Sequence, residues 1–143
     1  TLCAQRVFLG IIEARLHAVG AATGQPCPVF GDGGTVRLDV GVGRVEDGQY
    51  GVTSPPVIVR DVVVVGSSLG DNRRVDMERG SVRGFDVRSG RLLWAWDPIP
   101  RSASDPMYAS WSVEAAAVTG GANAWAPTSS RWPTRSTIRP RPC

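Results

Sequence analysis

The sequence predicts an all-β protein built from repeated, turn-linked sheets, and three observations carry that prediction. Seventeen glycines and eleven prolines punctuate the 143 residues, and the apolar runs between them are short and β-branched, which is how short strands joined by tight turns are written. No segment keeps a 3.6-residue apolar period for three helical turns. The stretch Leu16–Gly24 also recurs 66 positions later as Val82–Gly90, with small and apolar positions in register, and repetition on this scale marks a repeat architecture.

Taken in order, the clearest strands are Arg6–Gly10, Arg15–Val19, Val57–Val59, Val62–Gly66, Val82–Val87 and Leu92–Trp96. The Ala-rich stretch Glu114–Val118 is the one helix candidate. Each copy of the repeat reads as strand, tight turn, strand. Gly24 and Gly90 take the left-handed backbone that such a turn demands, while Thr23, Ser89 and Asp86 can bond the turn's amides. Trp94 and Trp96 follow on one strand face, and large flat side chains at a fixed place in repeated sheets suit blade-to-blade packing in a β-propeller. A blade takes roughly 40–50 residues and a ring needs at least about four. The chain supplies about two to three blades, and unclosed strand edges are an aggregation hazard, so a fragment is expected.

Charge and cysteine content bound the function. All 16 basic residues are arginine, against 13 acidic ones, and four of them (Arg131, Arg135, Arg139, Arg141) lie in the last thirteen positions. Without those four the net charge of +3 becomes −1. The pI of about 9.1 is therefore a property of the tail, and the body carries no basic stripe for nucleic acid. No run approaches the ~20 apolar residues of a membrane span. Val7–Ile12, flanked by Arg6, Glu13 and Arg15, is too short and too charged for a secretory signal. Cys3, Cys27 and Cys143 fit neither a disulfide framework nor a zinc site and read as two buried or bystander thiols and one in the tail. His17, which aligns with Arg83 in the repeat, reads as solvent-facing. Gly31–Gly34 reads as a turn, since no lysine exists to complete a phosphate loop. Residues 1–128 are expected to form one partial propeller domain. Residues 129–143 read as a disordered Arg/Pro-rich tail, or as a departure of the reading frame near Thr128.

The segment Gly84-Phe-Asp86-Val-Arg-Ser89-Gly90-Arg-Leu-Leu-Trp94 resembles the tryptophan-docking motif of the quinoproteins, A-x-D-x-x-T-G-x-x-x-W. With Thr53-Ser-Pro-Pro56, Val62–Gly66, Gly70-Asp71-Asn72 and Asn123-Ala-Trp125 in this order, the chain is similar to the membrane-bound, glucose-dehydrogenase-like branch of the pyrroloquinoline-quinone (PQQ)-dependent dehydrogenases over roughly residues 5 to 128. The first copy is degraded, with Gly20 at the acidic position and Pro28 at that of the Trp, and Thr119-Gly120 reads as a loop leading to Trp125.

The resemblance implies an eight-bladed propeller with PQQ in an axial funnel. Asp71 and Asn72 match the oxygen ligands of a Ca²⁺ or Mg²⁺ ion, a donor pair suited to hard cations, and Trp125 matches the indole stacked on the quinone. On residue type alone Gly70-Asp71-Asn72 could be a plain turn. The fourteen residues from Ser67 to Gly80, where a hairpin loop takes ~2–5, favour a functional loop. The lack of an adjacent Cys-Cys pair points to a sugar or polyol substrate, with electrons passing to a respiratory quinone or another acceptor. No residue matches the family's catalytic base, so the chain alone is expected to be inactive, and a periplasmic location follows from the resemblance only. The rival reading is a non-catalytic β-propeller module that binds proteins.

Overall fold

Alternation along the strands shows where the core lies. In a computed structural model, which describes residues 3–70, 73–120 and 123, strands β1 (Arg6–Ile11), β2 (Arg15–Gly20) and β3 (Thr35–Arg37) form one antiparallel sheet. Strands β4 (Tyr50–Gly51) and β7 (Ser68–Leu69) make a short antiparallel rung. Strands β5 (Val57–Val59), β6 (Val62–Val65), β8 (Val82–Asp86) and β9 (Leu92–Trp96) form a four-stranded antiparallel sheet in that order. A 3-10 turn (Tyr108–Ser110) and helix α1 (Val113–Val118) follow. The six expected strands and the helix are all present, each within one residue of its predicted ends. The short strands β3, β4 and β7 are additions.

One apolar core joins the two larger sheets. Leu16 and Ala18 of β2, Val63 and Val65 of β6 and Phe85 of β8 share it with Phe30, Leu38, Tyr50, Val52 and Leu69. Phe8 of β1 meets Phe30 edge-on, with ring centroids 5.4 Å apart. Each fully buried Leu or Phe contributes roughly 1.5–3 kcal/mol relative to exposure, so this shared layer binds one sheet to the other.

The repeat appears in the hydrogen bonds as well as in the sequence. Gly24 N donates to Gly20 O at 2.8 Å, and Gly90 N to Asp86 O at 2.9 Å. Gly20 N reaches Gln25 O and Asp86 N reaches Arg91 O, both at 2.9 Å. Gln25 N and Arg91 N each donate to the turn hydroxyl, Thr23 Oγ1 or Ser89 Oγ, at 3.3 Å. In the second copy Asp86 Oδ1 accepts from Ser89 N and Ser89 Oγ, both at 2.7 Å, and these bonds hold its carboxyl below the ordinary carboxylate range.

Equivalent positions nevertheless turn opposite faces to the core. Leu16 and Ala18 point into it, whereas their counterparts Val82 and Gly84 lie on the far face, where Trp94 sits against Gly84. Two like units that bury opposite faces against one another can be stacked repeatedly, which is the geometry of successive propeller blades. The same inversion separates His17 from Arg83, its counterpart in the repeat. His17 lies half-buried on the outer face with Nδ1 3.0 Å from Thr35 Oγ1, while Arg83 is buried between the sheets.

The second copy's turn is docked on the first sheet. Gly31 N donates to Ser89 O at 2.8 Å, and Arg6 Nη1 donates to Val87 O at 2.6 Å and Arg88 O at 2.7 Å. Gly31–Gly34 is a turn as expected, closed by Asp32 N to Thr35 O at 2.8 Å. Cys3 and Cys27 are joined in a disulfide with Cα atoms 5.8 Å apart, which overturns their reading as free thiols. Their wide spacing in sequence disguised a pair that the β1–β2 hairpin and the turn after it bring together. Cys143 and the 129–143 segment lie outside the described residues.

Gly24 and Gly90 have φ near +67° and +73°, but a Cβ on Gly24 meets nothing within 4 Å while one on Gly90 lies 2.8 Å from Gly31 N and from a Val36 methyl. Gly24→Ala should cost the left-handed strain of about 1–2 kcal/mol, and Gly90→Ala should cost a further ~1–3 kcal/mol for the collision; equal losses in urea unfolding would count against docking of the turn. Replacing Cys3 and Cys27 by serine should lower stability by about 3 kcal/mol, as expected for closing a loop of this length, measured against the oxidised parent.

Candidate functional site

The connection between β6 and β8 carries Asp71 and Asn72, which themselves lie outside the described residues, as does Trp125. Their flanks are described, and those flanks meet. Leu69 N donates to Asn123 Oδ1 at 2.6 Å, so the residue two before Asp71 is bonded to the residue two before Trp125. Gly80 N reaches Gly120 O at 3.3 Å, and Gly120 N reaches Val75 O at 3.4 Å. The segment leading to Trp125 therefore lies along the same connection that carries Asp71. Thr119-Gly120 forms the end of α1 rather than a third hairpin turn: Thr119 N donates to Ala115 O at 2.9 Å, and Ser112 caps the helix start.

The connection is ordered from both sides. Its first residues form β7, whose Leu69 pairs with Tyr50 and whose Ser68 pairs with Gly51, and Gly70 N then donates to Gln49 O at 2.8 Å. Further along, Arg79 N donates to Val42 O at 2.7 Å. Arg74 lies 2.8 Å from Glu46 Oε1 and 3.0 Å from Glu78 Oε1 and also donates to Arg44 O at 3.0 Å. By residue type the charged run of residues 73 to 79 would be a solvated loop surface. Glu78 instead is 1% exposed, held there by Arg74, since a buried carboxylate needs a cationic partner. Nothing in the local charge pattern distinguishes Glu78 from its exposed neighbour Asp76; only the tertiary position does.

Behind the β4–β7 rung lies a second polar feature that the sequence did not mark. Arg83, on the core face of β8 opposite Val65, donates through Nη2 to Leu38 O at 2.7 Å and to Tyr50 Oη at 2.9 Å. Its guanidinium carbon lies 5.8 Å from the Tyr50 ring centroid and 5.9 Å from that of Phe85. Burial pulls Arg83 below its ordinary range and pushes the Tyr50 phenol up, each partly opposed by the other's charge.

Strand direction assigns the ends of the molecule. β8 begins at the 66–81 connection and ends at the Ser89-Gly90 turn, so these lie at opposite ends of its sheet. Arg6, bonded to Val87 and Arg88, places the Gly20–Gly24 turn at the docking end, because Arg6 pairs with Gly20. Val52 N, bonded to Ile11 O at 3.1 Å, places the β4 rung at the other. The docking turns and the bonded pair Leu69 and Asn123 thus lie at opposite ends. Among the described residues no group of three His, Cys, Asp or Glu side chains could hold a metal, and no helix is long and apolar enough to cross a membrane.

Comparison with known proteins places this geometry in a family. The family described as "PQQ: Glucose/ethanol/alcohol dehydrogenase, beta-propeller domain" matches residues 1–131. The glycerol dehydrogenase large subunit of Gluconobacter oxydans is 44% identical over 95 residues, 66% of this chain and 13% of that protein. The quinoprotein glucose dehydrogenase of Escherichia coli is 37% identical over 125 residues, 87% of this chain and 15% of that protein. Among solved structures, a quinohemoprotein alcohol dehydrogenase from Pseudomonas putida overlays 85% of the chain and 17% of its own length with a TM-score of 0.61 at 24% identity, a likeness of fold. The chain spans about one seventh of the length of the curated relatives it matches. With more than nine tenths of its residues inside the family match, the chain belongs to the PQQ-dependent glucose/ethanol/alcohol dehydrogenase β-propeller family.

Proposed function

We propose that this chain is part of a PQQ-dependent dehydrogenase that oxidises a sugar or polyol, and that it supplies cofactor and cation contacts rather than the catalytic base. The observation that carries this reading is the bond from Leu69 N to Asn123 Oδ1, which ties the Asp71-Asn72 segment to the Trp125 segment within a chain of this family. In that reading the Asp71 carboxylate and the Asn72 amide oxygen hold a Ca²⁺ or Mg²⁺ ion, and the chemistry of the pair fits, since such ions select oxygen donors. Trp125 offers a flat, largely apolar face for a planar ring system. When bound, the quinone supplies the hydride acceptor and the cation polarises its carbonyl oxygen. The residues of this chain orient the group and shield it from water; proton removal from the substrate hydroxyl belongs to a base that no residue here matches.

Several features support the finer points. Relatives named for glycerol, glucose and quinate or shikimate all act on polyhydroxylated compounds by name, in keeping with a sugar or polyol. The Cys3–Cys27 disulfide suits an oxidising compartment, in keeping with the periplasm, where reducing equivalents can pass to a respiratory quinone. A protein-binding propeller has no need of a bond between the residue two before an acid–amide pair and the residue two before an indole.

Two outcomes test the proposal. Terbium, a luminescent stand-in for Ca²⁺ that a nearby indole can sensitise, should bind the 143-residue chain and be displaced by Ca²⁺, and Asp71→Ala should weaken it about tenfold or more; unchanged affinity would remove Asp71 from the site. The same purified chain, given PQQ, Ca²⁺ and aldoses or polyols, should show no dye-linked turnover, and substantial turnover would mean that the base is present after all.

A further inference from the structure

A buried guanidinium in an apolar interface needs a reason. Arg83 is 6% exposed, flanked on its face by Val65 and Phe85, where an unbranched apolar side chain would fill similar volume without desolvating a charge. Its hydrogen bonds supply the reason. Nη2 reaches Leu38 O at 2.7 Å and Tyr50 Oη at 2.9 Å, and Nη1 faces Val40 O at 3.5 Å. Leu38 and Tyr50 are the two ends of a segment that contains no strand or helix between them, so the planar fork of Arg83 closes that segment as a clamp.

The clamp leads directly to the candidate site. Tyr50 pairs with Leu69 across the β4–β7 rung, the preceding residue Gln49 accepts from Gly70 N at 2.8 Å, and Leu69 N is bonded to Asn123. Only two residues belong to β4 and two to β7, so the rung is too short to hold its own place. We infer that Arg83 is a positioning residue: by fixing Leu38 and Tyr50 it sets the β4–β7 rung, and through that rung the placement of Leu69 and Gly70 beside Asn123. The inference rests on the proposed cation site only for its consequence in metal affinity; the placement itself is independent of any ligand.

The test uses the 143-residue chain with Arg83→Met, which keeps volume and loses the fork, and Tyr50→Phe, which removes only the acceptor hydroxyl. Local amide exchange at Leu69 and Gly70 is read beside global stability, because a merely structural role would move both together. Arg83→Met is expected to fold, to speed exchange at these amides about tenfold or more relative to amides of β2, and to weaken Ca²⁺ binding by about tenfold or more; Tyr50→Phe should give a smaller change in the same direction. Wild-type exchange at Leu69 and Gly70 in folded Arg83→Met overturns the inference. Should that variant not fold, Tyr50→Phe decides by the same comparison. If the parent chain binds no Ca²⁺ while the exchange result holds, the cation reading fails and the positioning role of Arg83 stands.

Discussion

The structure depends on one contact between sheets, the seating of a repeated hairpin turn on its neighbour. Gly31 N bonded to Ser89 O, with Gly90 packed against Gly31 and Val36, locks the second sheet's turn onto the first. Arg6 adds two charge-assisted bonds to the carbonyls of Val87 and Arg88. These bonds fix how far and at what angle the sheets approach. At that spacing Leu16, Phe30, Val63 and Phe85 form one layer. Because like positions of the two copies turn opposite faces to that layer, the arrangement can be extended from either side. Val7 and Leu9 on one outer face and Trp94 and Trp96 on the other are between 42% and 57% exposed, as expected for surfaces that further blades would cover in a longer ring.

That docking has a consequence for chemistry. It places rigid turns at one end of the sheets and leaves the other end to long connections, among them the one that holds Leu69 and Gly70, the residues before Asp71. Connections are free to vary while the sheets keep them in register. Here the variable end is braced by two charged devices, the Arg74–Glu78 pair inside the 66–81 connection and the Arg83 fork behind it. Both set a buried charge against a partner, which is costly for stability alone and useful where position matters.

Much of this was legible in the chain. Strand positions followed from β-branched runs bounded by glycine and proline, and the two hairpin turns from a hydroxyl followed by glycine. The short strands β3, β4 and β7 were not, because two- and three-residue strands leave no alternation to read and exist only through tertiary pairing. The disulfide was missed for a similar reason: 24 residues separate its cysteines, and only the path of β1, β2 and the following turn brings them together. The burial of Arg83 was not legible from its alignment with His17, since the repeat preserves backbone bonds but inverts the buried face. Asp71, Asn72 and Trp125 are candidates from the resemblance alone; Leu69 and Asn123, each two residues before one of them, are joined in the fold by a bond that no spacing in the sequence could announce.

The central claim is that the segments around Asp71 and Trp125 form one cation-binding end, remote from the docking turns. Paramagnetic broadening by Mn²⁺, an oxygen-seeking cation, measures this directly in an NMR titration of the chain. The account predicts early loss of the Leu69, Gly70 and Asn123 amide signals and of the Trp125 indole signal, with the Gly24 and Ser89 amides untouched. Broadening confined to the docking turns, or to Leu69 and Gly70 without Asn123 and Trp125, would contradict it.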